Sequence, residues 1–247
     1  MRSLRAKLGL AVVLAALLAG SATWATPYPG YEMYIGAGNE QIRLSGLIEG
    51  VDYSYTPSPD GYGGTYRLLA PVVDLEGLYT ITAWSSAFDV DPFVTNNVSV
   101  TNPSGSPQSY VFNVTSPVLA LGSTTMDGSI GITVTNTTGS VTLSSTSPNA
   151  IYIARLDGSS VQTLFNHSSS VGCVPPFCST TQNASFGPVA GPGVTTNMGI
   201  DIRFTLSPGD SATITSVFNI VPEPTPLMLL GVGLVGLVIA GRRRRQH

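Results

Sequence analysis

The stretch DIRFTLSPGDSATITSVFNI, residues 201–220, decides the fold class of the chain. Apolar and polar residues alternate on both sides of Ser207–Asp210, and a period of two is typical of β-strands with one buried face. Pro208 and Gly209 suit a tight turn. The stretch therefore predicts strands at Asp201–Leu206 and Ala212–Ile220, joined as a hairpin.

Working outward from this hairpin, the rest of the body repeats the same pattern. Short runs rich in Thr, Val, Ile, Tyr and Phe are separated by turn residues, and no stretch between the two ends of the chain has a helical period. The predicted strands are Gln41–Glu49, Thr65–Ala70, Leu78–Trp84, Val94–Val100, Ser109–Val114, Ile130–Val134, Ser140–Leu143 and Ile151–Leu156. Asn136–Gly139 fits a tight hairpin turn before Ser140–Leu143.

About ten such strands predict an all-β fold, an antiparallel β-sandwich that occupies residues 26–220. A body of this length can bury a core of its own. One domain is expected, and a break near Ser116–Asp127 is the alternative that would divide it into two smaller sandwiches. We find no internal repeat, which argues against a solenoid or a propeller.

The charge of the body limits its partners. Residues 26–220 contain 13 acidic residues and no lysine, and their basic residues are four arginines, Arg43, Arg67, Arg155 and Arg203. Nucleic-acid binding needs a basic surface that neutralises phosphates, so no nucleic-acid partner is expected. The same charge argues against binding to anionic lipid.

The body lacks the residue patterns of common catalytic sites. His167 is its only histidine, and there is no lysine and no Gly-x-Ser-x-Gly elbow. The pairs Asp74/Glu76 and Asp89/Asp91 each place two carboxylates on one side of a strand, which would suit Ca²⁺, but such pairs are more often solvated charges. We expect no enzyme, cofactor or metal; two acids on distant strands, as in a glycosidase, are the alternative.

Cys173 and Cys178 are the two cysteines of the chain. In an oxidising compartment a local disulfide is the expected state. Half of a metal site is the alternative, but a tetrahedral site needs four ligands and only His167 lies nearby in sequence.

Tyrosines concentrate in the first third of the chain. Exposed tyrosines would stack on sugars, whereas buried ones would fill a sandwich core, which is the commoner case. The residues concerned are Tyr28, Tyr31, Tyr34, Tyr53, Tyr55, Tyr62 and Tyr66.

The N-terminus predicts export. A cationic start is followed by the apolar run Leu8–Ala19, which is too short to span a bilayer, and then by small residues. Residues 1–25 are therefore predicted to be a signal peptide that signal peptidase cleaves after Ala25, with Ala22 as the alternative.

The last residues, 221–247, combine three features in a fixed order. Thr225–Gly241 is an uncharged run of 17 residues, rich in Leu, Val and Gly, which predicts a short transmembrane helix. The positive-inside rule keeps the arginines after it in the cytoplasm, so that residues 26–220 lie outside. The segment before the helix is Val221, Pro222, Glu223 and Pro224, and the cationic stop is Arg242, Arg243, Arg244 and Arg245. An ordinary membrane anchor would share these physical properties.

In this order of features, residues 221–245 resemble the PEP-CTERM sorting tail of exported bacterial proteins. The resemblance implies that an intramembrane exosortase recognises and cuts the tail. The same tail is also labelled as the C-terminal domain of ice-binding proteins, a label that describes the tail alone. Two segments of the body, Asp91–Phe112 and Phe204–Phe218, resemble segments that recur in passengers with this tail.

Together these features predict an exported protein, held in the membrane before processing and then released to the cell surface or the extracellular matrix. The body is expected to be a non-catalytic matrix protein, with extracellular polysaccharide as a possible partner. A domain that binds or hydrolyses carbohydrate is the alternative.

Overall fold

The computed structural model describes residues 30–37, 40–74, 77–89, 92–136, 139–174 and 177–222. The predicted signal peptide with Ala25, the predicted helix 225–241 and Arg242–Arg245 lie outside these residues. In chain order the described strands are β1 (Glu32–Ala37), β2 (Glu40–Arg43), β3 (Tyr53–Pro57), β4 (Gly63–Leu68), β5 (Val72–Val73), β6 (Thr80–Asp89), β7 (Phe93–Thr95), β8 (Asn97–Thr101), β9 (Gln108–Pro117), β10 (Thr124–Thr135), β11 (Val141–Ser145), β12 (Tyr152–Leu156), β13 (Ser159–Leu164), β14 (Ser170–Cys173), β15 (Ser179–Gly191), β16 (Asn197–Leu206) and β17 (Ser211–Pro222).

The strands form two antiparallel sheets. Sheet 1 has the order β13-β12-β16-β9-β1-β2, with β11 beside the second half of β16 and β14 beside β11. Sheet 2 has the order β15-β10-β17-β7-β6-β4-β3, with β8 also between β17 and β6, and β5 beside β6. The all-β, sandwich-like architecture that the alternating pattern predicts is confirmed.

The core lies between the two sheets and follows the period of two. Along β10 every second residue from Thr124 to Val134 is buried, and β16 likewise gives Met198, Ile200, Ile202, Phe204 and Leu206 to the core, although Asp201 on its other side is buried as well. Alternate side chains of a strand point to opposite faces, so the long strands each give one row of side chains to the core and one to solvent. Strands from before and after residues 116–127 occur in both sheets.

The predicted hairpin at residues 201–220 is wrong, although its turn is present. β16 belongs to sheet 1 and β17 to sheet 2, so that the turn at Ser207–Asp210 carries the chain across the sandwich. The hairpin predicted around Asn136–Gly139 is wrong as well, because β10 belongs to sheet 2 and β11 to sheet 1; residues 137 and 138 lie outside the described residues. A turn sequence specifies a reversal of direction but not which neighbour each strand pairs with, because pairing depends on distant strands.

Other strand predictions differ in extent. The strand predicted at Gln41–Glu49 ends at Arg43, where one turn of 3₁₀ helix, Leu44–Gly46, follows. The strand predicted at Val94–Val100 is divided into β7 and β8 at Asn96. No strand was predicted from the sequence at β1, β3, β5, β13, β14 and β15.

Asn96 interrupts this strand because its polar groups bond inside the core. The side chain is fully buried, with Oδ1 accepting from the Trp84 indole Nε1 at 2.9 Å and Nδ2 donating to the Phe112 carbonyl of sheet 1 at 3.1 Å. The backbone of Asn96 exchanges hydrogen bonds with Ser216 of β17. Asn96 therefore links the two sheets through the core.

Asn102 is a second fully buried asparagine, at the corner between β16 and β17. Its Nδ2 donates to the carbonyls of Leu206 and Ser207 at 3.0 and 3.1 Å, and its Oδ1 accepts from Ser104. Its backbone carbonyl accepts from Gly209 N at 2.7 Å. Residues 102–106 and 206–210, which belong to the two body segments singled out by resemblance, are thus bonded to each other.

Candidate functional site

The sorting tail begins inside a β-sheet. Val221 and Pro222 are the last residues of β17, and they pair with Thr125 and Thr124 of β10. β17 lies between β10 and β7 in sheet 2, so the first half of the Val-Pro-Glu-Pro segment continues an interior strand of the body without a linker. Glu223 and Pro224 lie outside the described residues.

Both ends of the body leave the sandwich at the same place. β1 starts beside the end of β9, with Glu32 opposite Thr115, and a Cβ built on Gly30 would lie 3.3 Å from the Cβ of Pro117. The chain then runs through residues 118–123 into β10, whose first residue, Thr124, is opposite Pro222. We call this end of the body, residues 117–124, 191–196 and 221–222 with Gly30, the exit end.

The loops at the exit end are bonded to each other. Leu121 and Val194 exchange two backbone hydrogen bonds of 2.8 and 2.9 Å, and Val118 N donates to the Thr196 carbonyl at 3.1 Å. The Asp157 carboxylate accepts from the backbone N–H groups of Thr195, Thr196 and Asn197 at 2.8–3.1 Å and from both threonine hydroxyls. Desolvation alone would raise the pKa of Asp157, but these hydrogen bonds outweigh it and hold the pKa well below its usual range.

At the opposite end of the body, Cys173 and Cys178 form a disulfide. It joins the end of β14 in sheet 1 to the residue before β15 in sheet 2, so it spans the connection between the sheets. The disulfide predicted for an oxidising compartment is present.

The other candidate residues for chemistry do not meet in a site. His167 is exposed in the loop before β14. Glu76 and Asp91 lie outside the described residues, so neither predicted carboxylate pair can be described. Within the described part of the chain, no three His, Cys, Asp or Glu side chains lie close enough together to hold a metal ion.

Most of the described tyrosines of the early cluster fill the core. Tyr31 stacks on Tyr66 and on Phe88 at centroid distances of 4.6 and 4.4 Å, and Tyr55 stacks on Tyr66 at 4.7 Å. Tyr53 is buried as well, whereas Tyr34 is half-buried and Tyr62 is 60% exposed. Tyr28 lies outside the described residues. Most of these tyrosines therefore pack in the core, and Tyr34 and Tyr62 are accessible for contacts at the surface.

A cluster of charged residues lies on the outer face of sheet 1. Asp201 of β16 points away from the core, yet it is only 2% exposed, because Arg155 and Arg203 cover it. Its Oδ2 accepts from Arg155 Nε at 2.7 Å and from Arg203 Nη2 at 3.0 Å, and its Oδ1 accepts from Asn113 Nδ2. These donors offset the cost of withdrawing the carboxylate from water.

Tyr34 continues this face in the same row of cross-strand neighbours. The row runs from Asp201 through Asn113 and Tyr34 to Arg43. The phenol ring lies against the backbone, since a Cβ on Gly36 would come within 2.9 Å of the Tyr34 hydroxyl oxygen and 3.4 Å of two ring carbons. The Arg43 guanidinium carbon is 5.5 Å from the ring centroid, within cation–π range.

We call the outer surface formed by these residues the arginine face; it comprises Tyr34, Arg43, Asn113, Arg155, Asp201 and Arg203. It holds three of the four arginines of an otherwise acidic body. The sequence could not show this, because the six residues come from five strands that are distant along the chain. The scarcity of arginine was the available signal, but it did not show which of the 13 acidic residues each arginine contacts.

The outer face of sheet 2 has a different character. Two shallow grooves cross it, lined by hydroxyl, amide and small side chains such as Ser129, Gly131 and Thr215, and Arg67 also lines the second groove. No helix of the described residues is long and apolar enough to cross a membrane.

No curated protein matches the chain. Among solved structures, TmCBM61 in complex with beta-1,4-galactotriose is 12% identical, with a TM-score of 0.28, and the match covers 51% of this chain and 71% of that one. The enzymatically active domain of bacteriophage CBA120 tailspike protein 4 is 14% identical, with a TM-score of 0.25, and covers 52% of this chain and 18% of that one. A chain from infectious bursal disease virus, Gx strain, is 14% identical, with a TM-score of 0.23, over 83% of this chain and 54% of that one.

This chain therefore spans less than two thirds of the second and third of these proteins, and structural similarity at this level carries no functional argument. The tail is different. A family model described as the PEP-CTERM protein-sorting motif matches residues 221–245. This match confirms the resemblance of the tail and implies exosortase-dependent sorting, so that the chain is an exported, membrane-processed protein of the cell surface that carries the PEP-CTERM sorting motif.

Proposed function

We propose that the tail anchors the chain in the membrane through residues 225–241 until an exosortase cuts close to Pro222-Glu223-Pro224, and that signal peptidase removes residues 1–25. The intact mass of the surface form from an exosortase-positive host tests this. Mature protein that still carries Arg242–Arg245 would contradict it. Changing Pro222, Glu223 and Pro224 to alanine should leave an uncut chain in the membrane.

For the body, the function that the geometry supports best is non-catalytic association with an extracellular polysaccharide that carries carboxylate groups. The observation behind this proposal is the arginine face, where the Tyr34 ring lies flat on the backbone at Gly36 beside Arg43. A flat aromatic ring offers a stacking surface, and guanidinium groups match carboxylates in geometry and charge.

The dimensions of the face suit a chain-like ligand. Asp201 and Arg43 lie on the first and last of four neighbouring strands, which at three strand spacings is a distance of about 14 Å. Acidic residues predominate in the rest of the body, so an anionic chain would be repelled elsewhere and held to this face.

The test is binding of the exported protein to uronate-containing and to neutral polysaccharides. Tyr34→Ala should weaken binding to the acidic polysaccharide about tenfold, the equivalent of one stacking contact of about 1.4 kcal/mol. Gly36→Ala should weaken it as well, because the new methyl group displaces the ring while every charge stays in place. Tyr62→Ala, which removes an exposed tyrosine elsewhere, is the matched control and should bind normally.

Two results would contradict this proposal. Equal loss of binding with Tyr34→Ala and Tyr62→Ala would show that the arginine face is not the binding surface. Turnover of any glycan by the wild-type protein, lost when an acid such as Asp89 is changed to Asn, would make the body an enzyme.

A further inference from the structure

The loops of the exit end carry no charge. Residues 117–124 read PVLALGST and residues 187–197 read GPVAGPGVTTN. Elsewhere the body holds 13 acidic residues. One carboxylate that contacts these loops, that of Asp157, accepts five hydrogen bonds from Thr195, Thr196 and Asn197.

Apolar side chains project from the same end. Leu119 is 71% exposed and Val221, on the strand that enters the tail, is 54% exposed. Leu119 stands between Val118, whose N–H bonds to Thr196, and Leu121, which is bonded to Val194. Both flanks of Leu119 are thereby fixed, so the loop holds the leucine outward instead of letting it fold onto the body.

The distance from this end to the predicted membrane segment is short. Only Glu223 and Pro224 separate Pro222, which is paired in sheet 2, from Thr225. Three extended Cα–Cα steps reach about 10 Å at most. The headgroup layer on one side of a bilayer is about 5–8 Å thick. Before cleavage, a body tethered so closely has its exit end at or within this layer.

We propose that the exit end is a lipid-contact surface, in which the Leu119 loop inserts beside Val221 into the outer membrane–water interface and seats the body on the bilayer before processing. The partner is the uncharged interfacial region of the bilayer, and burial of the apolar side chains in it stabilises the contact. Contact through anionic headgroups is disfavoured by the acidic body, and the proposal does not need it. The inference rests on the membrane segment in the proposed function of the tail.

The experiment uses the full chain in phosphatidylcholine vesicles without exosortase. The described cysteines are both in the disulfide, so Leu119→Cys provides a single thiol for an environment-sensitive fluorophore. Val73→Cys is the matched control. Val73 is 60% exposed. It lies at the other end of the body, since it pairs with Thr80, and Thr80 pairs with Thr101. Thr101 in turn pairs with Ser211, the first residue of β17, whereas the exit end contains the last residues of β17. The label at residue 119 should show a blue-shifted emission and quenching by headgroup-labelled lipid, and the label at residue 73 neither.

Alkaline extraction of the same vesicles separates the two possible failures. If the chain stays in the membrane but the label at residue 119 is as exposed to water as that at residue 73, the lipid-contact proposal is wrong and the anchor stands. If the chain is extracted, the anchor itself is wrong and the lipid contact with it. If the label is shielded only after exosortase is added, the surface contacts the protease and the lipid proposal is overturned.

Discussion

Serine, threonine and asparagine behave differently on the two sides of the same sheet. On the outer face of sheet 2, hydroxyl groups pair across strands, such as Thr133 with Thr181 at 2.8 Å and Ser99 with Thr213 at 3.0 Å, and these pairs are exposed. On the inner face, Asn96 is fully buried and bonds to groups inside the core. Asn102 is also fully buried, and it bonds to the buried Leu206 carbonyl and to partly buried groups at the corner. The comparison shows that residue type alone does not tell how much a polar side chain stabilises this fold.

The difference depends on whether water can replace a hydrogen-bond partner that is lost. When an outer hydroxyl loses its neighbour, water replaces it, and the free energy of unfolding changes little. When an inner amide is removed, the group it satisfied stays buried and unpaired, which costs about 1–3 kcal/mol for each such group.

Among the polar side chains, the largest effect is expected for Asn96→Ala. The variant leaves the Trp84 indole N–H without its acceptor in the core and removes the side-chain link to Phe112 of sheet 1. The free energy of unfolding should fall by about 3 kcal/mol, from the unpaired donor together with the small cavity. Urea unfolding followed by tryptophan fluorescence measures it.

The neighbour Asn97 provides the control for this first prediction. It is half-buried, and its Oδ1 accepts only a long bond of 3.3 Å from Ser216 N. Asn97→Ala should therefore cost less than about 1 kcal/mol. If the two variants were equally unstable, burial would not be what distinguishes inner from outer polar groups.

Asn102→Ala should come next, at about 2 kcal/mol. Its amide bonds to the carbonyls of Leu206 and Ser207 at the corner where the chain changes sheets. The cost is smaller than at Asn96 because this corner is nearer to water, which can reach some of the released groups. Hydrogen exchange should show faster opening of the corner than of the centre of β16. Protection that is unchanged at the corner would contradict the assigned role.

These two asparagines also mark the limit of the sequence argument. The alternating pattern predicted β10, β16 and β17 and the all-β class, because burial of every second side chain is a local property of a strand. The same pattern predicted one strand across Val94–Val100, because the neighbouring residues in the sequence do not show that the Asn96 amide points into the core. It also paired β16 with β17, because a tight turn most often joins neighbouring strands.

The candidate sites divide in the same way. The tail could be identified from sequence because its signal is contiguous: four residues, an apolar run and four arginines. The arginine face could not, because register between β1, β9 and β16 brings Tyr34, Asn113 and Asp201 into one row. Such a row exists only once the sheet has formed.

Asp157 is intermediate between inner and outer groups, since it is exposed but fully bonded. Asp157→Asn should lower the free energy of unfolding at pH 7 by about 1–2 kcal/mol, as expected for hydrogen bonds to a charged acceptor. Folding lowers the pKa of this carboxyl below its ordinary value of 3.8. Its stabilisation is therefore complete well above that value and is lost as the pH falls through the pKa of the folded state.

The check is urea unfolding of wild type and Asp157→Asn at pH 7 and at several values below pH 4. The difference between the two proteins should shrink as the pH falls. Thr195→Val, which removes one hydroxyl donor at 2.9 Å but leaves the backbone donors, should show a smaller difference with the same pH dependence. If the difference in free energy of unfolding grew as the pH fell, the ionised carboxylate would not be the stabilising form, and its assigned role would be wrong.

The smallest effect is expected for Thr133→Val on the outer face of sheet 2. The substitution keeps the β-branched shape that suits a strand and removes only the hydroxyl that contacts Thr181 at 2.8 Å. Because water can replace that contact, the free energy of unfolding should change by less than about 0.5 kcal/mol in either direction. The adjacent inner residue gives the matched comparison: Ile132 is fully buried, and Ile132→Ala should cost about 2–5 kcal/mol. If Thr133→Val were instead as costly as Asn102→Ala, the outer hydroxyl rows would be structural bonds, and the contrast between the two faces of the sheet would fail.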